Sequence, residues 1–153
     1  MRTVIAGFAG GITMNVVMLL TFRAIGFGWN GDGILLMSPI QSEKLIAVWT
    51  QLKPLPLVSA DPLPIVAGLI LFSICHALFY KWLSVSWPQG VTPRALRLAS
   101  LVYLTFLFWE FFTPFNLFGE PLILIALELI FWALIALAEA YTIVFIMERK
   151  SDI

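Results

Sequence analysis

Four stretches of the chain stay apolar over about 20 residues, the length an α-helix needs to cross the hydrocarbon core of a bilayer. The first runs from about Thr3 to Phe22 and meets Arg23. The second covers 63–83, after Asp61-Pro62. The third covers 93–113, opened by Thr92-Pro93, which reads as a helix cap with proline at the first helical position. The fourth covers 121–147 and stops before Glu148-Arg149-Lys150. The expected fold is all-α: an integral membrane four-helix bundle, with residues 1–153 forming a single membrane domain.

Between the first two runs lies a long connection with its own pattern. Gly26, Gly28, Asn30, Gly31 and Gly33 make its start rich in turns. Ser38-Pro39 reads as a further cap and proline. Over 39–52, Leu45, Val48, Trp49 and Leu52 share one helical face, with Gln41, Ser42, Glu43, Lys44 and Gln51 polar. That pattern predicts a short interfacial helix in the first loop, ended by Pro54 and Pro56.

Composition strengthens the membrane reading. The chain is 61% hydrophobic and 12% charged, against about 25% charged in soluble domains. It has too few polar groups to cover a water-facing surface, so the lipid bilayer is the expected solvent for most of its outside. Nine Lys and Arg balance nine Asp and Glu, which argues against nucleic acid as a partner. A single cysteine, Cys75, and a single histidine, His76, exclude an internal disulfide and a thiolate-held structural zinc. The apolar run Val4–Leu20 is longer than the roughly 7–15 residues of a signal peptide and reads as a retained span.

Charge also predicts orientation. Arg2, Lys81, Arg94, Arg97, Arg149 and Lys150 fall on one side, Arg23, Lys44 and Lys53 on the other. The excess places both termini in the cytoplasm, in a plasma or inner membrane. Trp29 and Trp49 outside, with Trp82 and Trp87 inside, suit aromatic belts.

Ionisable groups within such runs are costly, about 2.5–3.5 kcal/mol for a charge at the helix centre. The candidates are His76, Glu110, Glu128 and Glu139. Glu110 and Glu128 stand at equal distances on either side of Gly119, which puts both carboxyls at one depth, with Asn15 near the same level. Two carboxylates that close share a proton or hold a cation between them. Pro114 lacks the N–H that would bond the Glu110 carbonyl, and a free carbonyl there would suit cation coordination. Alternatively the helix ends at Thr113 and Glu110 is wet.

Glu128, Trp132, Ile135 and Glu139 form one stripe of the fourth span. The stripe either pairs helices through neutral carboxyls or lines a polar path, which Ile135 would interrupt. Ser73, His76 and Tyr80 form a stripe on the second span. His76 relays protons, ligates a haem or pigment metal, or is hydrogen-bonded to Glu139 or Ser100. Gly7 and Gly11 form a G-x-x-x-G that lets another helix approach, within the bundle or in a dimer.

No G-x-S-x-G, H-E-x-x-H or phosphate-binding glycine loop is present. Three functions follow as expectations. The first is a non-catalytic subunit or assembly factor, whose carboxylates pair helices within a homo-oligomer or membrane complex. The second is a small proton or cation transporter or channel using Glu110, Glu128 and Glu139. The third is an intramembrane enzyme or haem or pigment binder using His76. The sequence specifies no metal and no cofactor.

Overall fold

A computed structural model describes residues 1–149. Lys150, counted above among the positive residues, lies outside the described residues. Those residues are all-helical. Four helices are long and apolar enough to cross a membrane: α1 (Arg2–Phe27), α4 (Leu63–Ser86), α5 (Val91–Phe118) and α6 (Leu122–Glu148). Two short helices, α2 (Glu43–Thr50) and α3 (Leu57–Ala60), lie in the first connection. The second and fourth helices follow their apolar runs closely. The other elements depart from expectation, each for a local reason.

The first helix passes Arg23 and continues in π-helical turns over Leu19–Phe27. The guanidinium of Arg23 donates to the Trp29 carbonyl at 3.1 Å and lies 5.5 Å from the centre of the Trp29 ring. The charge therefore leaves along the helix end without terminating it. Termination falls to Gly28, at φ 73°, where a Cβ would stand 2.2 Å from Oδ1 of Asp32. The chain doubles back there, with the Leu35 N–H donating to the Gly26 carbonyl at 2.8 Å.

The helix expected over 39–52 starts only at Glu43. Residues before it form a turn, the Gln41 N–H donating to the Ser38 carbonyl at 3.0 Å. The Gln41 side chain is drawn inward, and the Ser42 hydroxyl donates across to the Phe118 carbonyl rather than capping its own helix. Leu45 is buried and Trp49 stacks on Phe27 at 4.1 Å. Leu52 falls beyond the helix and is exposed.

α5 is capped by Gly90 at φ 107°, so Thr92 sits inside the first turn. Pro93 is tolerated there because first-turn N–H groups have no partner in the helix. The helix runs on past Pro114 through π turns at Phe111–Phe115, with the Asn116 N–H reaching the Phe111 carbonyl. The same i→i+5 spacing sets the Glu110 carbonyl opposite the N–H of Phe115. Neither a free Glu110 carbonyl nor a helix end at Thr113 results. Gly119, at φ 67°, makes the turn into α6.

α1 packs against both α4 and α6, and α6 against α5, whereas α4 and α5 scarcely touch. Around the bundle the order is α4, α1, α6, α5, with one open side. A Cβ at Gly7 would lie 2.5 Å from Cα of Ile74, and one at Gly11 2.7 Å from Cα of Ile70. The G-x-x-x-G thus seats α1 on α4 within the chain. Gly10 does the same toward α6, since its Cβ would lie 2.7 Å from a side-chain carbon of Ile143. We call the end carrying α2 and α3 the loop end, and the other the terminal end.

Candidate functional site

At the loop end the α5–α6 hairpin brings Glu110 and Glu128 together. Both are buried, and their carboxyls lie within hydrogen-bonding reach of each other. Oε1 of Glu110 accepts the indole N–H of Trp132, while its Oε2, also buried, has no partner. Asn15 donates to the carbonyls of Gly11 at 2.8 Å and Val66 at 3.4 Å. Its amide therefore ties α1 to α4 and makes no bond to the carboxyls.

Glu120, a residue the sequence reading passed over, is 1% exposed beside this pair. Its Oε1 accepts from Nε2 of Gln41 at 2.7 Å. Burial pushes the Glu120 carboxyl above the usual carboxylate range; the Gln41 bond opposes the shift and the neighbouring Glu110 adds to it. A polar residue on a predicted interfacial helix and a charge in a tight hairpin both read locally as solvated. Only their meeting across the fold buries them.

A cavity of about 650 Å³ opens between Asn15, Glu110 and Glu128 and the neighbouring helices. Its wall is largely apolar and aromatic, with Phe22, Trp49, Trp109 and Trp132 contributing rings. Asn15, Glu110 and Glu128 supply polar groups. Arg23 and Trp29 also line it.

Next along the bundle comes an apolar layer. Trp132 stacks on Phe106 at 4.1 Å and leans on Phe22 at 4.9 Å, and Ile135 is fully buried. The stripe from Glu128 to Glu139 is therefore not a continuous polar path.

Beyond that layer His76 and Glu139 form a pair, Nδ1 to Oε1 at 2.9 Å, with both side chains buried. The Ser100 hydroxyl instead donates to its own helix, at the Leu96 carbonyl. His76 also lines a groove of about 250 Å³ between α4 and α5, with Phe72, Phe79 and Thr105. Nearer the terminal end Arg94 bonds Glu148 at 2.5 Å and the Pro88 carbonyl at 2.9 Å, and the Tyr80 hydroxyl donates to Glu148. This cluster was also missed, although Tyr80 on the His76 stripe was its available signal.

Among the described residues no three His, Cys, Asp or Glu side chains converge to hold a metal ion. Comparison with known protein families, with curated proteins and with solved structures finds no match.

Proposed function

We propose that the chain is a multi-pass protein of a plasma or inner membrane, with four spanning helices, cytoplasmic termini and α2 in the outer interface. Large apolar side chains on the outside of the helices support this, among them Phe8, Phe108, Ile130 and Phe145, each roughly half exposed or more. So does the distribution of positive residues, with Arg2, Lys81, Arg94, Arg97 and Arg149 toward the terminal end. Single cysteines placed at Ser59 and Ser86 in a Cys75→Ala background test it. An impermeant thiol reagent applied outside intact cells should label position 59 alone, and labelling of 86 alone would reverse the orientation.

The function we propose is the binding of a small amphipathic molecule taken from the outer half of the bilayer, as the binding step of a small transporter. One observation carries it: a cavity of about 650 Å³ whose largely apolar and aromatic wall includes a few polar residues, Asn15, Arg23, Glu110 and Glu128 among them. Such a site buries an apolar body and orients one polar group. Glu139, grouped with Glu110 and Glu128 in the transporter expectation, stands apart from it on His76. Calorimetry with triphenylmethanol in neutral detergent should give one saturable site, abolished by Val66→Trp without loss of melting temperature. Binding that is absent, or indifferent to Val66→Trp, would overturn the reading.

A second reading, the non-catalytic subunit or assembly factor, is favoured by the His76–Glu139 and Arg94–Glu148 pairs, which join helices without facing the large cavity. Co-purification with one membrane partner at fixed stoichiometry would support it. For the haem or pigment reading, the expected sign is a visible absorption band lost in His76→Leu.

A further inference from the structure

We propose that the groove between α4 and α5 takes a hydroxylated aromatic ring dissolved in the lipid, the headgroup chemistry of a quinol, with its hydroxyl bonded to Nε2 of His76. The groove lies on the open side of the bundle and shares no wall residue with the loop-end cavity. It is a second site, and it does not depend on the cavity being one.

An imidazole carries two ring nitrogens, and each can take a hydrogen bond. In His76, Nδ1 is engaged by Oε1 of Glu139 at 2.9 Å, which fixes the ring against α6. Nε2 has no hydrogen-bond partner among the described residues, and unlike Oε2 of Glu139 it is not fully enclosed. The residue is only 4% exposed, and the space it borders is the groove of about 250 Å³. The Thr105 hydroxyl, also in the wall, donates to the Val102 carbonyl at 2.7 Å. Nε2 is therefore the polar atom that the groove offers to a ligand. Leaving it unpaired among apolar side chains is costly, and lipid supplies no partner for it.

The rest of the wall sets the body of the ligand. Phe72, Phe79, Leu83, Leu98, Leu101 and Val102 complete it, and none carries a charge. An ion would find no counter-charge among them, so the ligand is neutral. Phe72 stands edge-on to the His76 ring at 4.2 Å, so a planar ring that reaches Nε2 meets an aromatic neighbour. An apolar cavity of about 150 Å³ holds a benzene ring. The groove, at about 250 Å³, suits one substituted ring better than a porphyrin. Phe79, Leu83 and Leu101 are roughly half exposed on its flanks, so a ligand enters from lipid without crossing the bundle. A hydroxyl fits Nε2 in either tautomer, because it both donates and accepts. Nε2 donates when Nδ1 accepts a proton from Glu139, and accepts when Nδ1 donates to the carboxylate.

His76 is the chain's single histidine, so full-length protein made with nitrogen-labelled histidine and no histidine tag reports this ring alone by NMR. Tetramethylphenol and tetramethylbenzene share a shape and differ by one hydroxyl. In neutral detergent the phenol should bind saturably, one to one, and shift the Nε2 resonance. The hydrocarbon should bind about tenfold more weakly, the weight of one hydrogen bond, and leave Nε2 where it was. Thr105→Trp, at an exposed position in the groove wall, should abolish phenol binding without lowering the melting temperature. Equal binding of the two probes, no binding of the phenol, or an Nε2 resonance that the phenol does not move would overturn the proposal on the unaltered chain. Phenol binding that survives in folded Thr105→Trp would do the same. Triphenylmethanol binding that is sensitive to Val66→Trp reports the loop-end cavity separately, so either site can fail alone.

Discussion

Glutamates lie buried at both levels of the bundle, but they keep different company. At the terminal half Glu139 meets the imidazole of His76, and Glu148 meets Arg94 and Tyr80. Each partner comes from another helix, and each contact joins two elements. At the loop end Glu110 and Glu128 meet each other, and Glu120 lies alongside. The same residue type thus joins helices where its partner can carry or donate a positive charge, and at the loop end it meets another acid instead. A carboxyl buried in a helix says little by itself; what faces it decides its role.

α1 packs on both α4 and α6 and so holds both levels together, and its disruption should have the largest effect. Gly11→Leu should cost at least about 1–3 kcal/mol, since even its Cβ would collide with the backbone of α4. The melting temperature in detergent should fall sharply, and an unchanged one would mean that α1 is not seated as described. Next in size is Glu139→Leu, which leaves the buried Nδ1 of His76 without its partner at a cost of roughly 1–3 kcal/mol. The double variant Glu139→Leu with His76→Leu should recover part of that loss. No recovery would remove the cohesive role of the pair.

At the loop end the expectation is the opposite. Replacing Glu110 and Glu128 together by Gln should change stability by less than about 1 kcal/mol, because shape and hydrogen-bonding capacity survive. It should also remove an infrared C=O band of protonated carboxyls at neutral pH. Were no such band lost, both groups would be ionised and the contrast between the two levels would fail. The smallest effect is expected at Glu120. Its carboxyl is held above the usual range when folded, so its contribution favours folding at low pH and is lost as pH rises through the folded value. Glu120→Gln should flatten the fall in melting temperature that accompanies a rise in pH above the usual carboxylate range. A fall of unchanged slope would assign the effect to another group.

Much of this architecture was legible in the apolar runs, because their lengths and proline boundaries are local properties. The ends of α1 and α5 were not. Arg23 and Pro114 look like stops, and the π turns that accommodate them depend on Trp29 and on the backbone beyond. Equal spacing about Gly119 gave the shared level of Glu110 and Glu128, since a hairpin converts sequence distance into depth. Gln41 is 79 residues from Glu120, and no local pattern announces a pair formed only when the connection folds over the helix ends. Trp132 was seen as part of a stripe, but its N–H toward Glu110 depends on the rotation of one helix against another.

The π turns of α5 also bear on how this chain should be compared with any other. A helix with an i→i+5 turn is an α-helix into which one extra residue has been fitted. Across Phe111–Phe115 the angular count therefore slips by about 100°, and a helical wheel drawn through the whole of α5 gives the wrong face to Leu117 and Phe118. A homologous helix one residue shorter in this stretch, lacking the bulge, would keep Glu110 in register with α6 and the last segment on its present face toward α2. In an alignment, a single-residue gap near Pro114 is then to be read as the loss of a bulge, with both the span and the cover over the cavity conserved.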